Sequence, residues 1–245
     1  MGVAMRVGAP LALVCLASLA SGQSTQVVSI VDRSDIEPTL QISGTVSISG
    51  QFVGNELISS CTRHASARNI SQKPIVALIL TFEGRGEHSW CGQATHTMEN
   101  FWSHRRIEPE QTIPIWDETK PSGRTVSYRA DPLSAPFEPK AEIRLVFVQF
   151  ADGTVRGDVG AAKDLFSARD SALTELLHLD QTYRESGAKA FSGELAGVNR
   201  DVYLIPEIQR IAQTRGTEAA IERVQHYLQV AQENVSALHP SKAGE

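Results

Sequence analysis

The chain has 245 residues, with 23 lysines and arginines against 28 aspartates and glutamates, so its formal net charge is −5. A mildly acidic chain without a basic run excludes nucleic acid as an expected partner. Its length suits one medium domain or two small ones, and a 41% share of hydrophobic residues is enough to form a core.

Residues 1–22 have the pattern of a secretory signal peptide. Arg6 supplies the positive start, residues 7–20 are almost purely apolar, and small side chains precede the expected cut near Gln23 or Ser24. A permanent membrane helix needs about 20 apolar residues, more than this core offers. We therefore predict an exported protein, secreted or periplasmic, with no stable membrane span once the signal is removed.

Residues 26–159 have the pattern of short β-strands separated by turns. Apolar residues alternate with polar ones from Leu40 to Ile48, and two nearly continuous apolar runs cover Ile75 to Phe82 and Ile143 to Phe150. Further strands are expected at 57–67, 90–98, 112–116, 125–128 and 154–156. Seven or eight such strands predict an antiparallel β-sandwich of immunoglobulin or fibronectin type III character, with a barrel as the alternative.

Two tight turns and a segment with several prolines separate the strands of this β region. Residues 84–86 predict a reversal, and Asp152-Gly153 is a strong hairpin signal between the last two strands. Five prolines between Pro114 and Pro139 predict edge strands and loops, because proline cannot donate to a central ladder.

Residues 160–240 have the period of helices, so they predict a C-terminal helical extension. Gly187 is expected to end the first helix, Pro206 to lie in the first turn of the second, and Thr217 to cap the third. The apolar stripe of the first helix comprises Leu165, Ala172, Leu176, Leu179 and Tyr183.

A narrow apolar seam follows along the third helix, at alternating spacings of three and four residues. Its members are Ile221, Val224, Leu228, Ala231, Val235 and Leu238. Such a seam predicts packing against another helix. The partner is either a helix of the same chain or a second copy, so self-association through the C-terminal helices stays open.

Two segments resemble uncharacterised exported bacterial proteins in which an immunoglobulin-like sandwich leads into a helical tail. The first is the turn at 68–75 with the strand that follows it, and the second is the hairpin from Val146 to Thr154. Gly157-Asp158 and the alanine-rich turn at 161–163 extend the resemblance, which covers roughly residues 45–190. It implies the fold and the export, and it implies no activity.

Cys61 and Cys91 are the two cysteines that remain after the signal is removed. An even pair in an oxidising compartment predicts a disulfide. The turns between the two cysteines place them at a similar height, on strands expected to be neighbours. The alternative is a zinc site built from Cys61, His64, His88 and Cys91, with His96 and His104 nearby. Residues i and i+3 of a strand point to opposite faces, which weakens the zinc hypothesis.

Aromatic residues are concentrated in the middle of the β region. They either pack in the core or form a binding face for a glycan or a protein. The candidate face comprises Trp90, Phe101, Trp102, His104 and Arg105. Glu99 and the other acidic residues around the reversal are interpreted as a solvated strand end.

No motif in the sequence singles out a catalytic site. Gly-x-Ser-x-Gly, phosphate-binding loops and dinucleotide fingerprints are all absent from the chain. The preferred prediction is a non-enzymatic binding or envelope-interaction module without a cofactor. The alternatives are a secreted enzyme, with or without a metal ion, whose histidine-rich site lies around residues 85–106, and a structural protein that self-associates through its helices.

Overall fold

The computed structural model describes residues 24–36, 38–53, 56–85, 93–119, 122–126 and 140–240. In these ranges the chain forms nine strands and then three α-helices with a final 3₁₀ turn. The strands are β1 (Ser24–Asp32), β2 (Leu40–Val53), β3 (Glu56–Asn69), β4 (Ile75–Arg85), β5 (Gln93–Glu99), β6 (Thr112–Asp117), β7 (Ser122–Val126), β8 (Lys140–Phe150) and β9 (Val155–Gly157). The helices are α1 (Lys163–Gly197), α2 (Ile205–Arg215) and α3 (Thr217–Glu233), followed by the 3₁₀ turn Val235–Ala237.

The strands form one mixed, barrel-like sheet, so the predicted immunoglobulin-like sandwich is wrong. Hydrogen-bonded neighbours follow the order β5-β4-β8-β1-β2-β3-β6, with β7 beside β3 and β9 beside β8. β1 joins the two halves, because residues 24–29 pair antiparallel with β2 and residues 30–32 pair parallel with β8. A sandwich would need two separate antiparallel sheets, and this shared strand removes that separation.

Side chains from the two ends of the strand order meet, so the sheet is nearly closed. The Trp116 ring of β6 lies 5.8 Å from that of Phe82 in β4 and 5.6 Å from that of His96 in β5, between ring centroids. Edge-to-face aromatic contacts at these distances are favourable. The interior between the halves is filled mainly by aliphatic side chains from β2, β3, β4 and β8.

The two halves of the sheet differ in what covers their outer faces. We call β4, β5, β8 and β9 the helix-covered half, because the outer-facing Val76, Ile79 and Phe147 pack against the helical region. We call β2, β3, β6 and β7 the uncovered half, where outward residues such as Gln41 and His64 are exposed. Burial on both faces explains why β4 and β8 read as continuous apolar runs.

Most strands lie where the sequence predicts them. β4, β6 and β8 and the hairpin turn at Gly153 are confirmed, and Pro114 lies in β6, which ends the strand order, as expected for an edge strand. β5 begins at residue 93 and β7 ends at residue 126, so the rest of the predicted strands at 90–98 and 125–128 lies outside the described residues.

The helices also follow the sequence pattern, with two differences. Pro206 lies in the first turn of α2, as predicted. Gly187 does not end α1 but kinks it, at φ 79° and ψ −177°. Thr217 does not cap α3, since Gly216 is the capping residue and the Thr217 hydroxyl instead shares a 2.8 Å hydrogen bond with that of Ser192.

Within the described ranges, no helix combines the length and the apolar character needed to cross a membrane.

Candidate ligand-binding cleft

A cleft of about 390 Å³ lies where the outer face of β5 meets the start of α1. Met98 packs against the interior core, so the two-residue period of the strand turns Thr95, Thr97 and Glu99 towards the helices. Residues of the first turns of α1 form the opposite wall, and Tyr203 closes one side from the α1–α2 loop. We call this site the β5–α1 cleft.

The floor of the cleft is an ion pair between Glu99 and Arg169. The Arg169 Nε donates to Glu99 Oε2 at 3.0 Å, and Nη2 lies 3.1 Å from Oε1 and 2.8 Å from Oε2. Such two-pronged pairing is strong and geometrically specific. The Arg169 side chain is only 1% exposed, so the pair forms a fixed part of the molecule.

Arg169 connects four elements of the fold, which are its own helix α1, the strands β5 and β8, and the C-terminal 3₁₀ turn. Its Nη1 donates to Gln149 Oε1 of β8 at 2.7 Å and to the carbonyl oxygen of Ala237 at 2.6 Å. Its guanidinium carbon lies 4.7 Å from the ring centroid of Phe101 and 5.3 Å from that of Phe166. The floor of the cleft is therefore anchored to the sheet, to α1 and to the C-terminal turn.

The ion pair is shielded from water, and this burial shifts the pKa of both groups. Burial raises the pKa of Glu99, and the charge and hydrogen bonds of Arg169, with the Phe101 N–H, offset part of that rise. Burial lowers the pKa of Arg169, and the Glu99 charge opposes this change. Desolvation disfavours the charged form of each group, which explains the two opposite directions.

Tyr203 forms the rim of the cleft, and Leu204 follows it in the α1–α2 loop. Tyr203 is 46% exposed. Partial burial raises the pKa of its hydroxyl, and the negative charges of Glu99 and Glu207 raise it further. Leu204 has a left-handed backbone with φ 73°, which is costly for a side chain of this size. The strained residue fixes the loop just beside the tyrosine.

The structure separates the residues of the predicted aromatic face. Phe101 is fully buried and Trp102 nearly so, in the core between the sheet and the helices, as the core-packing alternative expects. Trp102 also lines the cleft, and its buried Nε1–H has no hydrogen-bonding partner among the described residues. His104 and Arg105 are exposed, and Trp90 lies outside the described ranges. Phe101 and Trp102 therefore do not form an exposed platform.

The histidines near the predicted zinc site point to different places. His64 Nδ1 lies 3.1 Å from Asp117 Oδ1 on the outside of the uncovered half, whereas Cys61 is buried in the interior. His104 Nδ1 lies 3.4 Å from Glu233 Oε2 on α3. Among the described residues, no group of three or more histidine, cysteine or acidic side chains could hold a metal ion. His88 and Cys91 lie outside those residues.

The disulfide between Cys61 and Cys91 stays a prediction, but one argument for it is wrong. β3, which carries Cys61, pairs with β2, β6 and β7 rather than with β4 or β5. The strands on the two sides of the 84–86 reversal are therefore not its hydrogen-bonded neighbours. A bridge would have to cross the interior or the end of the sheet.

Sequence analysis missed the Glu99–Arg169 pair, although a signal for it was present. Glu99 was interpreted as solvated, yet its side chain is 15% exposed. Arg169 lies four residues after Leu165 and three before Ala172, on the apolar stripe of α1. A charged residue in such a stripe predicts a buried partner, because an unpaired buried charge is very costly.

A second concave surface lies between α1 and α3, with a volume of about 490 Å³. The predicted seam lines it only in part, because Ile221 and Val224 are buried inside the helical layer. Intramolecular packing therefore explains most of the seam. Leu177 and Val235 remain 53% and 61% exposed at the groove, and self-association through it stays a prediction.

No protein-family model matches the chain, and neither a curated protein nor a solved structure matches it. The resemblance to exported bacterial proteins therefore stays a prediction, and the geometry of the β5–α1 cleft carries the functional argument.

Proposed function

We propose that this chain is an exported binding protein that holds a small organic molecule in the β5–α1 cleft. The observation that carries the proposal is a cleft of about 390 Å³ whose floor is a buried, fully engaged ion pair. Small-molecule sites are typically pre-formed clefts of roughly 300–1,000 Å³ with a mainly apolar lining and a few fixed polar groups.

The lining of the cleft suits a ligand with an apolar body and a polar end. Ile79, Leu165 and Ala168 supply aliphatic surface from both walls. Thr95 and Thr97 supply two hydroxyl groups on one face of β5, where each can donate or accept a hydrogen bond. The rigid strand and helix that hold these groups favour binding with little loss of conformational entropy.

The state of Glu99 favours binding over proton transfer. Its Oε1 accepts hydrogen bonds from the Phe101 N–H at 2.6 Å and from the Arg169 Nη2, and its Oε2 accepts one from the Arg169 Nε and lies 2.8 Å from Nη2. A general base must present a free lone pair to the proton that it takes from the substrate. Both Glu99 oxygens are engaged inside the protein, so this carboxylate positions the floor.

Export is the second part of the proposal, and it comes from the sequence. Arg6, the apolar segment 7–20 and the small residues before Gln23 support it. In protein isolated from outside the cytoplasm, we expect N-terminal sequencing to find a chain that begins near Gln23 or Ser24. A full-length chain that stays in the cytoplasm would contradict export without affecting the cleft.

The binding proposal is tested by screening the purified mature protein against a diverse library of water-soluble small molecules by protein-detected NMR. We expect hits whose shifts map to Thr95, Thr97 and Ala168. The variant Ala168→Met fills the cleft and should abolish these hits. Ser167→Met places the same side chain on the exposed side of α1 and should leave them unchanged. Hits that map elsewhere, or that survive Ala168→Met, would refute the proposal.

A further inference from the structure

We propose, given that the β5–α1 cleft binds a small molecule as argued above, that it selects an organic cation. The ligand would carry an ammonium group on an apolar body about the size of an aromatic ring system. Charge, aromatic surface and volume in the cleft point to this class.

The positive charge at the floor is not free to attract an anion. Arg169 is 1% exposed, and its guanidinium is committed to Glu99, Gln149 and the Ala237 carbonyl oxygen. An anionic ligand would have to break that network to reach the guanidinium. The buried Glu99–Arg169 pair as a whole is neutral. The sign of the net charge of the cleft lining is therefore set by its remaining charged residue.

That remaining group is Asp164, which lines the cleft from the first turn of α1. It is exposed, and among the described residues it forms no ion pair. The two acidic groups and one basic group of the lining give a net charge of −1, since Glu99 and Asp164 outnumber Arg169. The partial positive charge at the N-terminus of α1, roughly half an elementary charge, offsets only part of the Asp164 charge.

Aromatic side chains supply a second attraction for a cation. Trp102 and Tyr203 both line the cleft, and Tyr203 is half-exposed at the rim. The face of an aromatic ring attracts a cation within about 6 Å of its centroid. Partial burial is the main cause of the raised pKa of Tyr203, and the negative charges of Glu99 and Glu207 add to it.

The test compares three molecules that share an indole body and differ in charge. Tryptamine is a cation at pH 7, tryptophol is its neutral alcohol analogue, and indole-3-acetate is an anion. Isothermal titration calorimetry on the mature protein should show tryptamine binding at least about tenfold more tightly than tryptophol, with indole-3-acetate the weakest. The advantage of tryptamine should shrink as salt is raised, because salt screens the attraction.

Two variants that remove the same charge, one in the cleft and one outside it, test whether Asp164 causes the preference for a cation. Asp164→Asn should weaken tryptamine binding about three- to tenfold and leave tryptophol binding unchanged. Glu185→Gln removes the same charge from an exposed site further along α1 and should change neither affinity. An equal loss in both variants would mean that only the net charge of the protein matters, which overturns the inference.

The remaining outcomes separate this inference from the proposed function. Equal affinity for tryptamine and tryptophol, or a preference for indole-3-acetate, overturns cation selection while the cleft remains a binding site. Failure of all three molecules also overturns it, and the library screen with Ala168→Met then decides the proposed function independently. Preference for tryptamine that Asp164→Asn removes supports both.

Discussion

The two halves of the sheet contain the same ion pair in two different environments. In the helix-covered half, Arg169 pairs with Glu99, and its guanidinium lies over two aromatic rings. In the uncovered half, Arg63 pairs with Glu118, and its guanidinium carbon lies 5.4 Å and 5.5 Å from the ring centroids of Phe82 and Trp116. Both arginines are held by two-pronged hydrogen bonding and by cation–π contacts.

The two carboxylates nevertheless shift in opposite directions. Burial raises the pKa of Glu99 by more than Arg169 and the Phe101 N–H lower it. Burial opposes ionisation of Glu118 as well, but the hydrogen bonds and charge of Arg63 outweigh it and lower the pKa of Glu118. Glu99 lies between the sheet and the helices, whereas Glu118 follows the end of β6 and its side chain is 22% exposed, so water reaches it. Burial therefore prevails at Glu99 and pairing prevails at Glu118.

Removing the arginine is the strongest way to test this comparison. Arg169→Met leaves the buried Glu99 carboxylate without an opposite charge, so we expect the free energy of unfolding to fall by about 3–5 kcal/mol. Arg63→Met leaves Glu118 within reach of water, so we expect a loss of only about 1 kcal/mol. Urea denaturation at pH 7 measures both values.

A second substitution shows whether the loss comes from the stranded charge. Adding Glu99→Leu to Arg169→Met removes the unpaired carboxylate and should recover most of the lost stability, because apolar replacements of buried pairs are often neutral. Equal losses for Arg169→Met and Arg63→Met would contradict the claim that desolvation distinguishes the two halves.

The predicted disulfide would tether the uncovered half, where Cys61 is buried on the interior side of β3, to the segment that precedes β5 of the helix-covered half. Closing a loop of about 30 residues stabilises a fold by roughly 3–4 kcal/mol on the chain-entropy model. We therefore expect a double substitution, Cys61→Ala with Cys91→Ala, to lower the free energy of unfolding by about that amount. A thiol assay on the denatured, non-reduced protein should find no free thiol, and two free thiols would end the disulfide hypothesis.

Gly44 tests how tightly the strands of the uncovered half approach each other. A Cβ at this position would collide with the carbonyl oxygen of His64 and come within 2.7 Å of the Ala65 Cα. β2 and β3 would have to move apart, so Gly44→Ala should cost about 1–3 kcal/mol, as overpacking does. Gly193→Ala in α1, where a Cβ meets nothing within 4 Å, is the control and should be neutral or stabilising. An unchanged Gly44→Ala protein would show that this contact is loose.

The sequence predicted the elements much better than their arrangement. The period of two in β2 and the apolar runs of β4 and β8 are local patterns, and each produced the expected strand. Pairing of β1 with both β2 and β8 is a long-range choice that no local period encodes. A strand buried on both faces has the same composition in a sandwich and under helices, so the sandwich was the wrong conclusion from correct strands.

The candidate cleft could have been predicted only in part. Arg169 on the apolar stripe of α1 signals a buried partner, but the sequence offers many acids, and only the fold selects Glu99. Tyr203 lines the cleft next to Leu204, whose left-handed backbone is a conformation that the sequence does not indicate. A site assembled from a strand, a helix and a loop depends on tertiary packing, which a pattern along the chain does not contain.

The smallest predicted effect concerns Asp152, an exposed carboxylate in the β8–β9 hairpin that can be compared with Glu99 and Glu118. Asp152 Oδ2 lies 2.6 Å from Lys73 Nζ, and Oδ1 accepts hydrogen bonds from the N–H and the hydroxyl of Thr154 at 3.0 and 2.6 Å. Slight burial opposes ionisation, but these hydrogen bonds outweigh it and lower the pKa of Asp152 to about 2. Asp152 is more exposed than Glu99 and Glu118. If contact with water lets the hydrogen bonds of a carboxylate lower its pKa, the lowering should be clearest at Asp152.

The sign of the pH dependence follows from that lowered pKa. The ionised form is favoured in the folded state, so the contribution of Asp152 is complete above its ordinary value of 3.8 and is lost as the pH falls towards about 2. Because the side chain is half-exposed, Asp152→Asn should cost less than about 1 kcal/mol at pH 7. That difference from the unsubstituted protein should shrink as the pH falls below 3.8 and be mostly lost at about pH 2 in urea denaturation. Lys73→Met should reproduce part of it, since it removes one of the donors. A difference that persists at pH 2 would mean that the turn itself, rather than the charge, needs the aspartate.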